Sequence, residues 1–283
     1  HARDIGFRMA RMLNDGALDF DLDYRVLEFA GDLDELDLSA RAALCNSPTE
    51  MRAYGVFFPP SQAILARAQQ HAKRPFTPVY ADADAVYEST AVLDISALEP
   101  QIAPPGGIQK SVDIGEAIGQ KIDHAFIGAC GSGMYEDFVI AANVLRGRQL
   151  APGVRMFIAP GSEQSTKRLL ADGLMQLFME AGVIPLPAGC GPCNDAVVGP
   201  LWSGETSIST ATNNNQRASR NRLASFAGSG AALEAAVGAL LAARITDEKE
   251  LADYTLAHHE NFTPNTPFSI ADLGLWPGRL HRS

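Results

Sequence analysis

An α/β fold with mostly parallel sheets is what this sequence predicts, and three observations carry it. Short apolar runs alternate with amphipathic segments between residues 121 and 245. Capping residues such as Ser162 and Ser229 stand at the starts of the amphipathic segments. The composition, 46% hydrophobic and 20% charged, is that of a chain able to bury a core, and 283 residues suffice for one large domain or two moderate ones.

Residues 1–72 read as an α/β domain. Ile5, Met9, Met12 and Leu13 repeat at helical spacing and predict a first helix. A strand follows over 24–29, closed by Gly31, and Ser39 is placed to cap a helix ending at Leu44. Ser47-Pro48-Thr49-Glu50 has the form of a capping box with proline at the first helical position. A strand over 55–58 stops at Pro59-Pro60, and 61–72 is helical. Residues 73–120, with Pro75, Pro78, Pro100, Pro104, Pro105 and the pair Gly106-Gly107 breaking the pattern, predict an extended connector with one strand over 91–95.

Across 121–245, strands are expected over 125–128, 154–159, 183–186 and 206–209. Helices are expected over 134–145, from the Ser162 cap to 170, over 174–180, and from the Ser229 cap to 244. Residues 246–283 read as a C-terminal tail in which His258-His259 is a solvated pair.

The formal charge of -10 makes the chain a poor nucleic-acid binder and sets it against anionic membranes. No apolar run approaches the roughly 20 residues of a membrane span. A locally positive site can still bind an anion. The opening His1-Ala2-Arg3-Asp4-Ile5 is neither a signal peptide nor an initiator, and predicts a truncated or processed chain. Four cysteines in a chain of this length do not form a disulfide scaffold. They imply metal or redox chemistry in a reducing, cytoplasmic setting.

Ligands of an open parallel sheet bind beyond the carboxyl ends of its strands. Cys130 follows the first expected strand of 121–245, Cys190 and Cys193 the third, and Asn213-Asn214-Asn215 with Arg217 the fourth. Three thiolates have a chemical meaning that four do not. A four-iron cluster held by three cysteines leaves one iron without a protein ligand, able to act as a Lewis acid on a substrate hydroxyl. The pair Cys190-Gly191-Pro192-Cys193 is also a thioredoxin-type dithiol sequence, although Pro187-Ala188-Gly189 precedes it where thioredoxins carry an aromatic residue. A zinc site would need a second ligand pair at usable spacing. Taken singly, Cys130 and Cys45 read as small buried hydrophobes, His124 as structural, and Asn46 as a helix-end residue. Glu50 reads equally as a helix cap and as a site residue.

These stretches resemble the aconitase family, in particular the large subunits of 3-isopropylmalate dehydratase and homoaconitase. The likeness begins at Arg3-Asp4-Ile5, Val26 to Gly31, and Cys45-Asn46 with Glu50. It is strongest at Phe126-Ile127-Gly128-Ala129-Cys130, with Tyr135-Glu136-Asp137 and Val144-Leu145-Arg146-Gly147 behind it. Ala151 to Arg155, Pro160-Gly161-Ser162, Glu180-Ala181-Gly182, Gly189 to Cys193 and Gly204-Glu205 follow in the family order, and the likeness covers residues 3 to 245.

The resemblance implies three-layer α/β/α domains, with 121–245 binding a [4Fe-4S] cluster through Cys130, Cys190 and Cys193. Asn46 and Glu50, from the preceding domain, take catalytic positions near the cluster. Ser132, Arg217 and Arg220 fall where substrate is bound. The implied activity is that of a hydro-lyase, removing and re-adding water on a hydroxy di- or tricarboxylic acid beside a small swivel-domain subunit. Two departures stand out. Gly131-Ser132 replaces the family's Thr-Asn, and Asn213-Asn214-Asn215-Gln216-Arg217 replaces a segment whose first arginine position here reads Asn214. A family N-terminal domain bearing active-site His and Asp residues is not found in the sequence. Two alternatives follow: a cluster-binding or scaffold relative without turnover, and a dithiol oxidoreductase using Cys190 and Cys193.

Overall fold

The computed structural model describes residues 2–31, 33–34, 36–193, 201, 204–211 and 243–245, with the backbone of 224–228. Helix α1 (Ala2–Asn14) buries Phe7, Met9 and Ala10, so its inner stripe is rotated from the expected one: Ile5, Met12 and Leu13 are only half-buried. The same stripe carries Arg3 and Asp4 into the interior.

Strands β1 (Val26–Glu28) and β2 (Gly55–Phe57) pair in parallel as a separate two-stranded sheet, Val26 opposite Gly55. Helix α2 (Leu38–Asn46) is capped by Asp37 rather than Ser39, the Asp37 carboxylate accepting from the Ala40 N–H at 2.8 Å. Both are capping residue types, and the carboxylate also answers the positive end of the helix. The predicted capping box does not form. Ser47–Met51 forms a 3₁₀ turn with Pro48 in its first turn, where the missing N–H is tolerated. Ser47 Oγ donates back to Ala43 O at 3.2 Å and Thr49 Oγ1 to Asn46 O at 2.6 Å. Helix α3 (Gln62–His71), capped by Ser61, buries none of its residues.

Residues 91–95 form no strand, and Val92 and Ile95 are exposed. Apolar β-formers without a surface to cover do not make a strand. The strands of this stretch are β3 (Gln101–Ala103), wholly buried, and β4 (Val112–Asp113), paired antiparallel. They are one wing of a seven-stranded sheet of order β4-β3-β9-β8-β5-β6-β7. In it β5 (His124–Gly128), β6 (Arg155–Ala159), β7 (Ile184–Pro185), β8 (Thr206–Ser209) and β9 (Ala224–Gly228) are parallel, and β3 runs antiparallel to β9. β9, from the small-residue stretch Ala-Ser-Phe-Ala-Gly, was not expected. Of the helix expected from Ser229 to 244, residues 229–242 lie outside the described residues, while Ala243 is in a turn and Arg244 bridges Lys121; the tail after 245 also lies outside them.

Helices α4 (Tyr135–Leu145), α5 (Glu163–Ala171) and α6 (Leu174–Glu180) pack together over this sheet. Alternation along the strands divides the side chains between two faces. Ala125, Ile127, Met156 and Ile158 join Phe138, Leu145 and Phe178 in the main core. Phe126, Phe157 and Ala159 point the other way and form a smaller cluster with Ala129. The α/β class with mostly parallel strands is as expected. No helix among the described residues is long and apolar enough to cross a membrane.

Candidate functional site

Because β8, β5, β6 and β7 are parallel neighbours, their carboxyl ends share one edge. Strand β5 leads directly into the Cys130 loop. Ala129 takes a left-handed backbone with φ +79°, unusual for a residue with a β-carbon, and turns the chain out of the strand. Ser132 N–H donates to Ala129 O at 3.3 Å, and Gly161 N–H donates to Gly133 O at 2.8 Å, tying this loop to the one after β6. Cys130 is exposed, with Gly131, Ser132 and Gly133 buried behind it.

Cys190 and Cys193 begin farther away, since β6 lies between β5 and β7. The chain after β7 turns back over β6: Leu186 N–H donates to Ile158 O at 2.8 Å and Gly189 N–H to Pro160 O at 3.0 Å. Gly191 then meets the ends of β5 and β6. With φ +52°, its α-carbon lies so near that an added β-carbon would stand 3.0 Å from Ala159 Cβ and 3.1 Å from the Phe126 ring. Cys193 follows in a 3₁₀ turn, its N–H donating to Cys190 O at 3.2 Å and its side chain packing on the Phe126–Phe157 cluster.

Electrostatics show which groups share this place. The Cys193 thiol is pushed up to about 12, first by burial, then by Cys190, Cys130 and Glu50. Both other predicted thiols and the predicted carboxylate thus lie within electrostatic reach of Cys193. Glu50 is exposed on the 3₁₀ turn. Asn46, half-buried at the end of α2, donates its Nδ2 to Ala42 O at 3.1 Å. Its amide also lies against Gly131, leaving no room there for a side chain.

Ser132 is fully buried, and its Oγ has no hydrogen-bond partner among the described residues. A buried hydroxyl left in this state costs about 1–3 kcal/mol. The remaining residues divide clearly. His124 is buried, its Nδ1 2.8 Å from Ser207 Oγ and its ring stacked on Phe157, so it is structural. Cys45 is half-buried, and burial pushes its thiol up. Arg217, Arg220 and Asn213-Asn214-Asn215 lie outside the described residues.

Among the described residues no three His, Cys, Asp or Glu side chains converge as the ligands of a single metal ion must. Thiolates sharing one zinc stand about 3.8 Å apart, whereas thiolates on separate irons of a cluster need not converge on one atom. The donor set suits a soft cationic centre. Burial first, and then the neighbouring thiols and Glu50, disfavour the Cys193 thiolate, and a bound cationic centre would offset both.

Sequence reasoning missed Arg3 and Asp137, an ion pair at 2.7 Å buried behind the Cys130 loop. Its signal was an arginine on the inner stripe of α1 and an acid three residues into α4. Their pairing across the chain has no local signature.

Comparison with known proteins gives the family. The sequence model of the Aconitase family (aconitate hydratase) matches residues 1–237. The 3-isopropylmalate dehydratase large subunit 1 of Methanopyrus kandleri is 36% identical over 216 residues, 76% of this chain and 50% of that protein. A probable methanogen homoaconitase large subunit of Methanosarcina mazei is 37% identical over 192 residues, 68% of this chain and 49% of that protein. The 3-isopropylmalate dehydratase large subunit of Desulfitobacterium hafniense is 33% identical over 192 residues, 68% of this chain and 46% of its own length. The chain spans about half the length of these curated relatives. With most of its length matched by the family model and its thiols gathered at one sheet edge, the chain belongs to the aconitase family.

Proposed function

We propose that this chain is the cluster-bearing part of a 3-isopropylmalate dehydratase-like hydro-lyase, acting on a hydroxy di- or tricarboxylic acid together with a small swivel-domain subunit. The supporting observation is geometric: β5, β6 and β7 run parallel, so the loops bearing Cys130, Cys190 and Cys193 leave from one sheet edge, and Gly191 packs against Phe126 of β5. In this reading Cys130, Cys190 and Cys193 hold a [4Fe-4S] cluster. When bound, it supplies a Lewis-acidic iron without a protein ligand, which makes hydroxyl a better leaving group.

The residues of the chain do the rest. The exposed Glu50 carboxylate can take and return a proton at its Oε atoms. Asn46 uses one N–H on Ala42 O and keeps a second donor and its Oδ1 for oriented hydrogen bonds beside Gly131. Ser132 Oγ offers a buried hydroxyl to an incoming oxygen. Arg217 and Arg220 would hold substrate carboxylates, for which a guanidinium fork is suited.

Anaerobic reconstitution with iron and sulfide, read by absorbance and electron paramagnetic resonance, tests the cluster. Absence of a cluster, or a cluster indifferent to Cys130→Ser, would overturn the reading. Hydration of an isopropylmalate-type alkene, citraconate or maleate by the complex with a small subunit tests the activity. A cluster without turnover would favour the second reading, a scaffold relative, which the Asn214 and Gly131-Ser132 departures motivate. The dithiol oxidoreductase reading is weakened by Cys130, a third thiol close enough to act on Cys193.

A further inference from the structure

We propose that Arg3 and Asp137 are positioning residues for Cys130, setting the Cys130 loop against the Asn46–Glu50 segment. This rests on the reading of Cys130 as a cluster ligand. Arg3 is 0% exposed and Asp137 3%. One guanidinium nitrogen of Arg3 (Nη2) bonds Asp137 Oδ1 at 2.7 Å, and the other (Nη1) donates to Gly131 O at 3.3 Å. The second carboxylate oxygen, Asp137 Oδ2, accepts from the Met134 N–H at 3.1 Å. The pair therefore grips the loop at two points, the carbonyl one residue after Cys130 and the N–H at the entrance to α4.

The other end of the grip lies in the first α/β unit. Arg3 belongs to α1, which packs on α2 and on the 3₁₀ turn carrying Glu50. Asn46, between those two elements, lies against Gly131, the residue whose carbonyl Arg3 holds. One guanidinium thus joins the segment bearing Asn46 and Glu50 to the loop bearing Cys130. A buried ion pair adds little stability over an apolar pair of the same shape, so its value lies in fixing an arrangement. The forked geometry of arginine permits this, whereas a lysine, with a single charged nitrogen, cannot reach both acceptors in the same way. The left-handed Ala129 at the start of the loop is a strained backbone of the kind that persists only where its surroundings hold it.

Hydrogen–deuterium exchange on the full chain without iron tests the grip directly. In Arg3→Lys and Asp137→Asn, amides of residues 130–134 should exchange about tenfold faster, with those of 186–193 unchanged. Asp137→Glu, which keeps two acceptors, should restore much of the protection. After iron–sulfide reconstitution, iron retention in the first two variants should fall about tenfold, as when the residue behind a metal ligand is lost. Arg3→Met paired with Asp137→Leu strands no charge. It should unfold near the wild-type temperature and still show fast exchange over 130–134. Equal exchange changes in both loops, or none in the paired variant, would overturn the proposal. Failure of the wild-type chain to take up iron would remove the functional reading instead, while the exchange data still reported on the grip.

Discussion

Gly191 abuts Phe126 so closely that a single added methyl group would stand 3.1 Å from the ring. This contact brings the Cys190–Cys193 turn onto the end of β5, beside Cys130. Gly191→Ala adds that methyl at φ +52° and should destabilise the chain by about 1–3 kcal/mol through overpacking and backbone strain. Thermal unfolding measures the loss, and absorbance after iron–sulfide reconstitution should show reduced uptake. Phe126→Leu in the same chain should recover part of the packing loss and none of the backbone strain.

Gly131 and Asn46 form a second close pair. Gly131→Thr, which restores the residue type usual in the family, should destabilise the chain by about 1–3 kcal/mol because Asn46 stands in the way. Asn46→Ala should remove most of that cost. A double-mutant cycle in urea would give a coupling of about 1 kcal/mol or more if the two are matched. Additive effects would mean they are independent.

The buried Ser132 hydroxyl gives a prediction of opposite sign for stability and activity. Ser132→Ala removes an oxygen with no hydrogen-bond partner among the described residues, so stability should hold or rise by up to about 1 kcal/mol. If that oxygen meets substrate, KM in the complete complex should rise in the same variant. Unfolding midpoints and steady-state kinetics measure the two effects separately.

Stability should fall on the alkaline side because of Cys193. Its folded-state pKa is raised from 9.0 to about 12, so the folded chain keeps a proton that the unfolded chain releases. The unfolded state binds fewer protons in that window, and stability drops as pH climbs from about 9 towards about 12, with no such loss below. Urea unfolding of the iron-free chain between about pH 8 and pH 11 should show a steeper decline in the wild type than in Cys193→Ser. Parallel declines would refute it.

Much of the 121–211 region was legible in advance, for reasons that can be named. Strands β5 and β6 carry continuous apolar runs, and α5 begins at the Ser162 cap the sequence advertises. The meeting of Cys130 with Cys190 and Cys193 was half legible. Strand order put them on one edge, but the bonds that fold the chain back over β6, Leu186 to Ile158 and Gly189 to Pro160, are backbone bonds without a side-chain signature. At the Glu50 turn the sequence offered a capping box, and the chain forms a 3₁₀ turn without a side-chain cap instead. The run over 91–95 looked like a strand because its residues favour strands, yet among the described residues it pairs with no other strand. Arg3 and Asp137 were hidden because a charge at a helical position says nothing of a partner 134 residues away.

The placing of β3 has a kinetic consequence. Ile102 pairs with Gly228, so among the described residues β3 joins the parallel strands through β9, a strand made long after it. On the ribosome β5, β6 and β7 can assemble first, while β3 and β4 wait as a small antiparallel pair with one edge open. Contacts this distant in sequence close slowly, on the order of milliseconds to seconds, because the ordering cost of the intervening chain comes before the gain. During that wait the open edge of β3 is the place where newly made chains would associate wrongly.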